Sequence, residues 1–139
     1  CQAAHEVVVV VCDEAASLTD AYALIKVLSR ESGVNRFQML CNRVRNEQHG
    51  RVLHQSLVSV CDRFLDVTLG YFGSVPEDAA IQRAARQQRA VVEAYPSSPA
   101  ARAFRELAGR AERWAVPAQA SGGLGFFLER SVVQMRSAP

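Results

Sequence analysis

An uninterrupted run of valines, Val7 to Val11, closed by Cys12 and followed by Asp13-Glu14, constrains this chain more than any other stretch. Valine is stiff at χ1 in a helix, and a buried helix is rarely this short, so the run reads as a β-strand. Without polar alternation it fits a central parallel strand covered on both faces. The turn after it is acidic. In open α/β sheets ligands sit in the loops at the carboxyl ends of strands. Asp13 to Asp20 is therefore the first place to look for a site.

Helical and strand-like periods alternate from there. Ser17 is expected to cap a helix, with Asp20 completing a capping box and Ala21, Leu24, Ile25 and Leu28 as its apolar stripe. Gly33 ends it. Arg36 to Val44 reads as a second strand, in which Phe37, Met39 and Cys41 alternate with Gln38, Leu40 and Asn42. A helix over about Glu47 to Leu65 should bury Leu53, Leu57, Val60, Cys61 and Phe64, with Gly50 weakening its first turns. A third strand-like segment, Val67 to Val75, runs into Pro76-Glu77-Asp78, and a helix to Arg86 follows. Ser98 caps a last helix, with Pro99 at its first position and Phe104, Leu107, Ala108, Ala111 and Trp114 on its buried face. This order predicts an α/β fold, a partial doubly wound parallel sheet in three layers. Residues 1–114 form the domain, and 115–139 a linker with a short apolar tail.

Composition removes several function classes. The 139 residues suit one domain, and an apolar share of 49% is ample for a core. A formal charge of +2 is too small to argue for nucleic acid or a membrane surface. The four cysteines lack CxxC spacing and read as reduced thiols, neither disulfides nor zinc ligands. No signal peptide or membrane-spanning run is visible. The opening Cys1-Gln2-Ala3-Ala4-His5, without an initiator methionine, reads as a fragment edge. There is no GxxxxGK[ST] loop, no GxSxG elbow and no aspartate-ended strand placed for Mg²⁺.

Val7 to Lys26, VVVVVCDEAASLTDAYALIK, resembles the MinD/ParA-type P-loop ATPases, and most closely the flagellar-number regulators of the FlhG/FleN type. Asn42-Arg43, Val75-Pro76-Glu77-Asp78 and Arg89 to Pro96 fit the same pattern in order and spacing, and the Gly-Gly-Leu-Gly-Phe-Phe tail is like some members. The similarity covers roughly Ala4 to Trp114. It implies the carboxy-terminal half of such a protein, because the family's deviant P-loop, switch aspartate and second acidic strand are not in these residues. Where the family usually has proline, this chain has Ala15.

The resemblance implies that Asn42 hydrogen-bonds adenine, with Arg43 beside the base or ribose and Pro76, Glu77 and Asp78 flanking the other side. An amide both donates and accepts, as a base edge requires. Read from the residues alone, Asn42 is equally a strand-end turn residue. Glu14, Ser17 and Asp20 match the surface near the family's dimer interface and effector site, against a plain helix cap and a solvated acid. Leu124, Phe126, Phe127 and Leu128 match the region of a membrane-targeting helix, against docking on the protein's own surface or binding a partner. By resemblance the intact protein takes ATP and Mg²⁺ and forms a homodimer, while this chain alone should not hydrolyse ATP. Its partners would be the flagellar placement GTPase, a flagellar master transcription factor or parts of the motor. It would be cytoplasmic, with weak association at the inner membrane and cell pole. Competing readings are a ParA-type DNA partitioner, which would need a basic surface, a non-catalytic interaction domain, and an unrelated small α/β enzyme.

Overall fold

A computed structural model describes residues 6–114. The sequence-predicted tail at Leu124, Phe126, Phe127 and Leu128 lies outside the described residues. Three strands, β1 (Val7–Cys12), β2 (Arg36–Val44) and β3 (Thr68–Pro76), pair in parallel in the order β1-β2-β3. Helices α1 (Ala15–Ser32) and α2 (Glu47–Phe64) make the crossovers. Beyond β3 come α3 (Ala79–Arg86), the single turn α4 (Val91–Ala94) and α5 (Pro99–Glu112). The expected alternation in β2 holds. Phe37, Met39 and Cys41 are buried against Ile25 of α1 and Leu53 and Leu57 of α2. On the opposite face α5 packs Ala100 and Leu107 against Val75, with Leu40 and Phe72 beside them.

Several sequence expectations change in detail. Helix α1 begins at Ala15 behind an extended Glu14 that makes no side-chain cap, so Ser17 and Asp20 are not a capping box. Ser17 instead accepts a hydrogen bond from the Cys12 backbone N–H (3.0 Å), which closes the loop after β1. Leu24, Val60, Phe64, Phe104 and Ala108 are exposed, because the apolar stripe on each of these helices is wider than the surface the helix meets. Gly50 has a packing reason: a Cβ there would lie 3.0 Å from the Ser74 Cβ and 3.1 Å from the Tyr71 hydroxyl. Glycine at this point brings α2 close to β3.

Among the described residues the valine run is covered on one face only. Val9 and Val11 are buried, while Val8 is 36% and Val10 55% exposed on the side where α5 reaches no further than β2. Among the described residues β1 is also an edge strand. An apolar edge with free N–H and C=O groups is a template for pairing with another chain. The 139-residue chain by itself is therefore expected to self-associate, and Val10→Lys to suppress this without unfolding it. Light scattering over a concentration series checks both, and a chain that stays monomeric at high concentration would count against the edge argument.

Candidate functional site

The carboxyl ends of the strands lie side by side. Cys12 pairs in register with Asn42, and Asn42 with Val75. Between Asn42 and Val44 the β2–β3 register slips, and Arg43 is the extra residue, with φ at +57°. A non-glycine residue in the left-handed region costs of order ~1 kcal/mol or more and is enriched at functional sites. The bulge turns the strand end away from the ladder. The ladder closes again where the Glu77 N–H donates to the Val44 carbonyl (2.8 Å). The result is a recess of about 290 Å³ that brings together all five residues assigned to the base: Asn42, Arg43, Pro76, Glu77 and Asp78. Asn42 is half-buried at its wall and Arg43 is exposed at its mouth.

Asp78 is the anchor of this recess. Its Oδ1 accepts from the Ala80 N–H (2.9 Å) at the start of α3. Its Oδ2 accepts from the Ala100 N–H (3.0 Å) in the first turn of α5. These amides, Ala100 foremost and then Ala80, hold the carboxyl below its ordinary value, with help from Arg83. A carboxylate so engaged serves the site by fixing the loop that carries Pro76 and Glu77.

His49 was not singled out in the sequence, yet it joins two of the loops. Its backbone N–H donates to the Asn46 side chain, which caps α2 (2.9 Å). Its Nδ1 accepts from the Arg45 N–H (3.0 Å), and its Nε2 meets Asp13 Oδ2 at 2.7 Å. The only local signal was Asn46, whose capping position places His49 three residues on, aimed back at the loop.

Glu14, Ser17 and Asp20 do not reach the recess. They line a separate groove along β1 with Val8, Val10 and Leu24. Cys41 and Cys61 are buried, and burial pushes the Cys41 thiol up to about 11 and raises Cys61 as well. Such thiols are poor nucleophiles at neutral pH. Cys12, Cys41 and Cys61 are unbridged. Among the described residues no cluster of His, Cys, Asp and Glu is arranged to hold a metal ion, and no helix is long and apolar enough to cross a membrane. The recess offers an amide, a guanidinium and a rigid peptide wall, which fit the planar polar edge of a nucleobase. Mg²⁺ finds no ligand set among these residues.

No protein-family model matches the chain. The antiactivator FleN of Pseudomonas aeruginosa is 50% identical to it over 131 residues, which make up 94% of this chain and 47% of FleN. An uncharacterized ATP-binding protein of Methanocaldococcus jannaschii is 34% identical over 107 residues, 77% of this chain and 38% of that protein. Among solved structures, the MinD cell division protein of Aquifex aeolicus matches with a TM-score of 0.64 at 21% identity, covering 85% of this chain and 48% of that one. That last likeness speaks to the fold, a portion of a P-loop NTPase α/β sheet. The chain spans about half the length, or less, of the curated relatives it matches.

Proposed function

We propose, on the premise that the chain belongs to the MinD/ParA-type ATPase family, that its recess receives the adenine of ATP in an intact regulator of flagellar number. The observation that carries this reading is the left-handed bulge at Arg43, which opens the recess beside Asn42 and against the Pro76–Asp78 loop. Asn42 would donate to and accept from the base edge, and Arg43 would stack on the base or reach the ribose. ATP would bind at the interface of two subunits, with the phosphate and Mg²⁺ ligands supplied by residues beyond this chain. ATP would favour the dimer, and hydrolysis would release it. The face at Glu14, Ser17 and Asp20 would meet the second subunit or an effector, with the flagellar placement GTPase and a flagellar transcription factor as candidates. The segment at Leu124, Phe126, Phe127 and Leu128 would add weak membrane or partner contact.

Asn42→Ala in the intact protein tests the adenine role. A net hydrogen bond of about 0.5–1.5 kcal/mol corresponds to roughly three- to tenfold weaker ATP binding. Discrimination between ATP and GTP should fall with it, since the base edge is where they differ. Titration with a fluorescent ATP analogue, competed with unlabelled ATP and GTP, reads both. Unchanged affinity and base preference would remove the adenine role.

A further inference from the structure

The loop that follows Asn42 is held from outside its own strand. Asn42 and Arg43 line the recess near the end of β2, and the turn that carries the chain on into α2 begins two residues later, at Arg45. One imidazole fixes it. Because Nδ1 of His49 accepts from the Arg45 N–H, the ring proton sits on Nε2 and is donated to Asp13 Oδ2. The His49 side chain is only 15% exposed, and with both ring nitrogens bonded the ring is held in place rather than waving in solvent. Asp13 lies at the other end of this link, in the turn between β1 and α1, next to Glu14. No other side-chain hydrogen bond or ion pair among the described residues joins these two turns.

We propose that His49 is a positioning residue for the base recess, and that its bond to Asp13 couples nucleotide occupancy to the turn carrying Glu14. The inference rests on the recess being the adenine site. A nucleotide that draws Asn42 and Arg43 inward pulls on the Arg45 N–H, hence on the ring, hence on Asp13. A partner that holds the β1–α1 turn in turn holds the base wall in its binding shape. Linkage makes the two effects reciprocal.

The test is a mutant cycle in the intact protein, titrated with the same fluorescent ATP analogue well below each variant's melting temperature. His49→Ala and Asp13→Ala are each expected to weaken binding by about three- to tenfold, as for one lost hydrogen bond at the site. The double variant should be no weaker than the worse single, because both remove one link. Asp13→Asn keeps an oxygen for the Nε2 proton and should restore most of the affinity. A merely structural role would lower melting temperature in all of them and leave affinity unchanged. That result overturns the proposal, as do additive effects. Asn42→Ala runs alongside: if it weakens binding while the Asp13 variants do not, only the coupling fails. If Asn42→Ala also has no effect, the recess reading fails and the coupling with it. Should a variant not fold, long-range ¹H–¹⁵N spectra of the wild-type imidazole decide. A proton on Nε2 agrees, and one on Nδ1 overturns the link.

Discussion

Asp78→Ala is expected to lower the stability of the chain by about 2 kcal/mol or more, since it uncaps two helices at once and each lost cap costs ~1 kcal/mol. One oxygen holds the first turn of α3 and the other the first turn of α5, and both helix dipoles lose their anion. Ser98 still accepts from the Ala101 N–H, so α5 keeps one cap while α3 keeps none of its side-chain caps. Asp78→Asn retains one oxygen acceptor and should fall between Ala and wild type. The acid response separates charge from hydrogen bonding. The folded carboxyl lies below the unfolded value of about 3.9, so its contribution is complete above that value and is lost as pH falls through the folded one. Below about pH 4 the wild type should therefore lose stability more steeply than Asp78→Asn. Urea melts at neutral pH and across the acid range measure both. An alanine variant within a few tenths of a kcal/mol of wild type would show that water replaces the carboxylate.

The same residue shows where sequence reading stops. The three strands and their crossovers were legible because their signals are local: period two in β2, apolar stripes on α1 and α2, Gly33 and Ser98 as stop and start. Five of the residues around the recess could also be named, from the resemblance carried by Asn42-Arg43 and Pro76-Glu77-Asp78, while Ala79, Ile81 and Gln82, which line it too, could not. What each does there was less legible. Asp78 caps a helix that starts more than twenty positions later, through Ala100, and His49 meets Asp13 across 36 positions. Neither pairing leaves a spacing to read. The bulge at Arg43 arises from the β2–β3 register, which no single strand encodes. Ser17 failed for a different reason. Ser-x-x-Asp before an apolar stripe does look like a cap, but the helix had already begun at Ala15 and the hydroxyl went to the Cys12 N–H. The valine run carried no facing information either: every position is equally apolar, and only the reach of α5 separates Val9 from Val10.

Gly73→Ala should cost more than its single methyl suggests, about 2–4 kcal/mol. The β2–β3 register slips just before it, so Phe72 and Gly73 both face α5. Gly73 has φ at +159°, in the region L residues avoid, and a Cβ there would stand 2.6 Å from Leu107 Cδ2 and 2.8 Å from Arg110 Nη1. Leu107 is buried in the α5 core and cannot swing into water cheaply. The helix must move outward. That movement lengthens the bond from Arg110 Nη1 to the Phe72 carbonyl (2.7 Å) and separates the Phe72 and Trp114 rings, now 4.8 Å apart. It also draws the Ala100 N–H away from Asp78, so the damage reaches the recess through the anchor. Strain and overpacking can be told apart by a second substitution. If the clash with Leu107 dominates, Leu107→Ala in the Gly73→Ala background should cost clearly less than the roughly 2–5 kcal/mol such a truncation costs alone in a core. If backbone conformation dominates, the two losses should add. Chemical denaturation of the two singles and the double, read by Trp114 fluorescence, decides between them. Wild-type stability in Gly73→Ala would mean that α5 does not sit on β3 at this distance.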